Sequence, residues 1–229
     1  MGVSMNHPLK LGVVGSLGRM GRRVCALARE NPRFSLAAPI ERKNFGQTNW
    51  PGLDVLIDFS IPKTSLTVLK IAVAEKIPLV IGVTGFSNSQ MSQIKAASRK
   101  IPIFLSPNFS PGIFWMERLA QEAAGALSNY DLSILETHHK AKKDAPSGTA
   151  KALASVLGRK VEILSSRVGD VVGEHTLVLA GSFERLEIKH LAHSRDVFAK
   201  GALDAAAWIY SQRPGLYGME DLFGKNGKN

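Results

Sequence analysis

Leu9-Lys10-Leu11-Gly12-Val13-Val14-Gly15-Ser16-Leu17-Gly18-Arg19-Met20-Gly21 opens the regular pattern of this chain and decides how the rest is read. Residues 9–14 are mostly apolar and form a short buried strand, and a glycine-rich turn follows at once. From Arg19 to Glu30 the apolar residues Met20, Val24, Leu27 and Ala28 recur at helical spacing until Asn31-Pro32 ends the helix. Strand, glycine turn and helix in that order suit a dinucleotide. Glycines let the backbone approach a pyrophosphate, and the helix N-terminus offers free N–H groups and the positive end of its dipole. The spacing is G-x-x-G-x-x-G, not the commoner G-x-G-x-x-G, so a plain turn in an α/β domain fits the motif taken alone. Its context favours the cofactor. Glu41 closes a second apolar strand, Phe34 to Ile40, twenty residues after Gly21. A carboxylate there can accept hydrogen bonds from adenosine ribose hydroxyls. Arg42 and Lys43 follow and can pair with a 2′-phosphate instead, so the expected cofactor is NADH or NADPH.

Beyond this opening the same alternation continues. Val55 to Ile57, Pro78 to Val83 and Ile101 to Leu105 read as strands, and Lys63 to Glu75 and Ser89 to Lys100 as helices. Asn44 to Gly52 reads as a loop. Strands alternating with helices predict a parallel sheet covered on both faces. Gly82-Val83-Thr84 and Ser106-Pro107-Asn108-Phe109 fall at the carboxyl ends of strands four and five, the edge where doubly wound sheets bind ligands. After Asn108 the pattern changes. Helices are expected over Ile113–Leu127, Pro146–Leu157 and Arg195–Gln212, and strands over Leu132–Glu136, Val161–Val168, His175–Ala180 and Arg185–His190. The expected fold class is therefore α/β, a Rossmann-like doubly wound sheet followed by an α+β domain with a mixed sheet.

With 229 residues there is room for two domains with separate cores. No apolar run approaches the roughly 18 residues of a membrane span, and Met1–Lys10 lacks the apolar centre of a signal peptide. The lone Cys25 cannot form an internal disulfide, which fits a reducing cytoplasm. A net charge of +10 suits either nucleic-acid phosphates or small polyanions. Basic and aromatic residues do not alternate as in single-strand binders, so small anions are expected and neither nucleic acid nor membrane is an expected partner.

The second half carries a dense block, His138-His139-Lys140-Ala141-Lys142-Lys143-Asp144-Ala145-Pro146-Ser147-Gly148-Thr149. Imidazole titrates nearest neutrality and can deliver a proton there, while lysines and the N–H groups of a helix start attract an anion. A solvated basic loop ahead of a helix cap would carry the same charges. No metal is expected; His190 and His193 would be the place to look for one.

Together these residues resemble the 4-hydroxy-tetrahydrodipicolinate reductase family, the dihydrodipicolinate reductases of lysine and diaminopimelate synthesis. The marks are Gly18-Arg19-Met20-Gly21, Asp58-Phe59-Ser60, Gly82-Val83-Thr84-Gly85-Phe86, Pro107-Asn108-Phe109-Ser110, Glu136-Thr137-His138-His139 and Lys142 through Ala150. They continue through Gly173-Glu174-His175, Glu184-Arg185, His190 to Arg195, and Phe198-Ala199-Lys200-Gly201-Ala202. The resemblance implies a dinucleotide-binding domain over 1–107, rejoined by the tail 213–229, and a substrate-binding domain over 108–212 that builds a homotetramer. It implies His138 as proton donor with Lys142 as its catalytic partner, and His139, Ser147, Gly148 and Thr149 on the carboxylates of a small dicarboxylate imine. Gly15, Ser16, Leu17, Gly18, Arg19, Met20, Glu41, Arg42, Gly82, Val83, Thr84, Ser106, Pro107, Asn108 and Phe109 would line the cofactor. This chain departs from the family in a shorter segment between Glu41 and Asp58, and in Val83, where threonine is commoner. A reductase of another small imine or amino acid, and a dinucleotide sensor without catalysis, are the competing readings.

Overall fold

The computed structural model describes residues 7–224, which divide into two compact units. One runs up to Phe109 and resumes at Phe198; the other is Ser110–Val197. Among the described residues no helix is long and apolar enough to cross a membrane.

The first unit is built on β1 (Leu9–Val14), β2 (Phe34–Ile40), β3 (Val55–Asp58), β4 (Leu79–Ile81), β5 (Pro102–Leu105) and β10 (Gly215–Tyr217). They form one sheet in the order β10-β5-β4-β3-β1-β2, with every pairing parallel. Alternate side chains go to opposite faces. Leu11, Val13, Val55, Ile57, Val80 and Phe104 meet α1 (Arg19–Glu30) and α6 (Asp196–Ile209) on one side. Leu56, Leu79, Ile81 and Ile103 meet α2 (Pro62–Glu75) and α3 (Asn88–Ser98) on the other. Burying each large aliphatic side chain contributes roughly 1.5–3 kcal/mol, which is why these strands read as continuous apolar runs.

Two features differ from the sequence expectations. The Asn44–Gly52 stretch is not a plain loop. Two short 3₁₀ turns, Arg42–Gln47 and Trp50–Gly52, lay Phe45 and Trp50 edge to face, 5.6 Å apart, against the α2/α3 side of the core. Two aromatic rings thus fill space in a segment that carries no longer helix. The second difference concerns α6, which falls inside the 108–212 span read from the sequence. Its Ala199, Ala202, Ala205 and Ala206 are buried against β1, β3 and β5, because small side chains let helix and sheet approach closely. The chain from Phe198 to β10 therefore folds with the first unit. Residues 225–229 of the tail lie outside the described residues.

The second unit is a four-stranded mixed sheet in the order β7-β6-β8-β9, formed by β6 (Asp131–His138), β7 (Glu162–Arg167), β8 (Glu174–Ala180) and β9 (Arg185–Leu191). β6 runs parallel to β7 and antiparallel to β8. Only one face is covered. There α4 (Pro111–Ala126) and α5 (Gly148–Val156) pack Ile113, Met116, Ala120, Ala150 and Leu153 on Ile134, Leu177 and Leu179. On the open face Leu135, Leu164 and Leu191 are 42–49% exposed.

Candidate active site

In the first unit the glycine turn sits at the carboxyl end of β1. Gly15 has φ +76°, a conformation that side chains resist, and a Cβ at Gly21 would sit on the Gly15 carbonyl oxygen. The turn therefore closes tightly onto the start of α1. Gly18 caps that helix without a side-chain hydrogen bond, so the main-chain donors of its first turn are not claimed by a cap. Leu17, Gly18 and Arg19 are exposed, Ser16 is buried, and Met20 packs on the core. Glu41, at the end of β2, accepts from Ser16 Oγ at 2.8 Å and from Leu17 N at 2.6 Å. The expected ribose-binding carboxylate is thereby tied to the glycine turn. The Arg42 side chain lies outside the described residues.

Gly82-Val83-Thr84 follows β4 and Ser106–Phe109 follows β5, so both reach the same carboxyl edge of the sheet as the glycine turn. Their side chains differ in what they offer. Val83 and Phe109 are core residues, Phe109 lying 5.7 Å from Phe59 and 5.9 Å from Phe104 between ring centroids. Only their main chain remains for a ligand. Ser106 Oγ donates to the Asn108 carbonyl and accepts from Asn108 N, which folds that loop on itself. Thr84 and Pro107 are exposed and Asn108 half-buried.

In the second unit the strand period places Glu136 and His138 on the covered face, two residues apart on β6 and both buried. Glu136 Oε2 lies against His138 Nδ1, an ion pair whenever the ring is protonated, and Oε1 accepts from Arg167 Nη2 of β7 at 2.8 Å. Register brings His175 of β8 directly opposite Glu136, and its ring meets the His138 ring edge to face at 5.2 Å. Ser147 joins this group. Its N–H donates to Glu136 Oε1 at 3.3 Å, and its Oγ lies 3.2 Å from His175 Nε2. The same Oγ caps α5 by accepting from Ala150 N at 3.1 Å, so Gly148 and Thr149 form the helix's first turn. N–H groups of such a turn are suited to a carboxylate.

Lys142 sits on the turn after β6, its Nζ 2.8 and 2.9 Å from the two oxygens of Asp144. Asp144 is exposed, so this pair can open to an incoming anion. Arg167 Nη2 also donates to the Asp144 carbonyl at 2.6 Å, fastening the turn to β7. His139 is half-buried beside it.

The electrostatics follow from these contacts. Burial alone would raise the Glu136 carboxyl. Hydrogen bonds from Arg167 and Ser165, with the charges of His138 and Arg167, bring it down to about 2. Burial pushes the His138 imidazole below its usual range against the pull of Glu136, and Lys142 and Arg167 push the same way as burial. Burial, then the nearby His138, takes His175 down to about 4. Donor atoms of Glu136, His138 and His175 lie within 4.8 Å of one another. The Arg167 guanidinium already neutralises Glu136, however, and would oppose a dication. The cluster is an ion-paired hydrogen-bond network. His190 instead lies on the Ser110 cap of α4, its Nε2 3.2 Å from Ser110 Oγ.

Two family models cover this architecture: the N-terminus of dihydrodipicolinate reductase matches residues 9–109, and its C-terminus matches residues 112–223. The chain belongs to the dihydrodipicolinate reductase family. It is 39% identical to the 4-hydroxy-tetrahydrodipicolinate reductase of Caldanaerobacter subterraneus, over 95% of this chain and 99% of that protein. It is 40% identical to the protein of that name from Bdellovibrio bacteriovorus, over 96% and 99%. The second alignment spans only 227 positions, so the Bdellovibrio relative is as compact as this chain. A solved dipicolinate-bound dihydrodipicolinate reductase from Paenisporosarcina sp. TG-14 has the same fold, with a TM-score of 0.76, 20% identity, and coverage of 94% of this chain and 99% of that one.

Within this family frame, sequence reasoning assigned no role to Glu136, Arg167, His175 or Asp144. Glu136 carried a signal: an acid two residues before a histidine on an otherwise apolar strand shares the histidine's face. Arg167 carried none, and His175 stood only among the marks of the resemblance with no role attached, because only strand register brings the two to β6.

Proposed function

We propose that the protein is an NAD(P)H-dependent 4-hydroxy-tetrahydrodipicolinate reductase, forming tetrahydrodipicolinate by way of dihydrodipicolinate in lysine and diaminopimelate synthesis. One observation carries the reading beyond family membership: a buried, carboxylate-paired imidazole stands beside the start of α5, where main-chain donors can hold a substrate carboxylate.

In this reading the first unit binds the coenzyme and the second binds the substrate. The glycine turn and the start of α1 take the pyrophosphate. Glu41 takes the adenosine ribose of NADH, Arg42 a 2′-phosphate, and the loops after β4 and β5 complete the site, so both coenzymes serve. A bound reduced nicotinamide supplies hydride to the cyclic imine. Ser147, Gly148, Thr149 and His139 orient the two substrate carboxylates. Lys142 leaves Asp144 for the anionic substrate and stabilises the negative charge that develops on the ring nitrogen and conjugated system. His138 then delivers a proton to the ring and is reprotonated from water. The open face of the second sheet, with Leu135, Leu164 and Leu191, is the surface through which the homotetramer forms. Its single, buried cysteine suits a cytoplasmic enzyme.

A coupled assay tests the proposal. Pyruvate and aspartate semialdehyde are condensed by the synthase that makes the substrate, and nicotinamide absorbance is followed with each coenzyme. Absorbance should fall with NADH and with NADPH. Loss with neither would overturn the proposal. Light scattering should give four times the 24.8 kDa chain mass, and a monomer would contradict the tetramer.

A further inference from the structure

The chemistry above uses His138, Lys142 and the start of α5. It leaves unexplained why a buried carboxylate touches His138 and the start of α5 and reaches Lys142 through Arg167 and Asp144. Glu136 meets His138 Nδ1 with one oxygen, while the other accepts from Arg167 and from Ser147 N. Arg167 in turn holds the Asp144 carbonyl, and Asp144 holds Lys142.

We propose that Glu136 is a positioning residue for the reduction, fixing His138 with its Nδ1 proton turned inward so that Nε2 is the nitrogen that delivers to substrate. This rests on the reading of His138 as proton donor. Three features support it. First, the strand places both side chains on one face, so their meeting is built into β6 and needs no loop rearrangement. Second, the Nε2 edge of the buried imidazole faces a glycine and no larger side chain. A Cβ at Gly173 would stand 3.0 Å from His138 Nε2, so the glycine leaves that nitrogen room. Third, the charges around the ring oppose one another. Burial, Lys142 on the following turn and Arg167 on β7 all disfavour the protonated ring. His175 on β8 adds no favourable charge, since it is itself held neutral. Glu136 is the neighbour that favours the imidazolium a proton donor must become. An ion pair serving stability alone would need Arg167 and no contact with the imidazole.

The test is a pH titration of the full-length protein with ¹⁵N-labelled histidine, the His138 signal being assigned with His138→Gln. Native His138 should carry its proton on Nδ1 when neutral. In Glu136→Gln its proton affinity should fall by about tenfold or more, and Glu136→Asp should recover part of the loss. In the coupled assay the high-pH limb of kcat should move to lower pH in step, with kcat at neutral pH down by roughly 10- to 100-fold and coenzyme Kd unchanged. The same tautomer and midpoint in native, Gln and Asp forms would overturn the proposal. Should Glu136→Gln not fold, the Asp variant alone decides, since a shorter carboxylate must still shift the His138 midpoint. The nuclear titration does not depend on turnover. A shifted midpoint in a protein that consumes no coenzyme would sink the reductase reading, and with it the role in reduction, while showing that Glu136 still sets the His138 tautomer and proton affinity. Normal turnover with an unmoved midpoint would do the reverse.

Discussion

The two units solve opposite problems with opposite materials. The first covers both faces of a parallel sheet, and the groups proposed to take the coenzyme are mostly main chain: a glycine turn, a helix start, and loops whose Val83 and Phe109 side chains belong to the core. The second covers one face of a mixed sheet and points titratable side chains inward from three adjacent strands. Main-chain recognition tolerates side-chain change but not added bulk at its glycines. Side-chain chemistry tolerates neither a lost partner nor a shifted charge. The contrast also appears in acid. Burial raises the Asp58 carboxyl against a hydrogen bond from Ser60, so taking up a proton there favours the fold of the first unit. His175 in the second unit is held neutral, so acid works against that fold.

The largest effect expected from this contrast is on turnover. His138→Gln should lower kcat by roughly 10²- to 10⁴-fold with coenzyme Kd unchanged, because the proposal assigns the proton donor and the dinucleotide to different units. Steady-state kinetics beside fluorescence titration of coenzyme checks it, and a comparable loss in both would erase the distinction.

Acid stability comes next. His175 titrates near 6.5 when unfolded and about 4 when folded, so the unfolded chain takes the proton first as pH falls. Stability should therefore be lost between those values, on the order of 3 kcal/mol in all, and His175→Gln should flatten that slope. Glu136 acts lower: its stabilisation is present above 4.5 and lost toward about 2 in both proteins. Urea midpoints across the pH range test this, and equal slopes between pH 6.5 and 4 would place the sensitivity elsewhere.

In the first unit, Gly21→Ala pushes a methyl group onto the Gly15 carbonyl and should weaken both coenzymes by about tenfold. His138 should titrate as before, and a changed midpoint would show that the units do not act separately. Glu41→Ala should have the smallest effect, a several-fold loss for NADH exceeding that for NADPH, since in the proposed site the free ribose hydroxyls of NADH are what the carboxylate would hold. Equal losses would mean that Glu41 serves the turn through Ser16 and Leu17 and not the ribose.

What could be read from residues alone follows the same divide. The first unit was legible because local patterns encode it. Apolar runs at Leu9–Val14 and Val55–Ile57, the glycine turn, and helical spacing from Arg19 to Glu30 each carry their own signal. The 3₁₀ turns after Glu41 were missed because Phe45 and Trp50 are fixed by packing and not by periodicity. The placement of α6 was missed because its alanine-rich face would suit either sheet. In the second unit the His138–Thr149 block was visible as a cluster. Its completion by Arg167 and His175 was not, because those residues are 29 and 37 positions beyond His138 and only the β6–β7 and β6–β8 registers bring them to it.

One isotope experiment tests directly whether the two units cooperate in a single reduction. The native enzyme is run once in ordinary water with coenzyme deuterated at the transferable position, and once in heavy water with ordinary coenzyme, and the product ring is examined by NMR. The expected result is one deuterium from the coenzyme in the first run and one from solvent in the second, on different ring atoms. A product with no coenzyme-derived deuterium, or with both new hydrogens drawn from solvent, would contradict it.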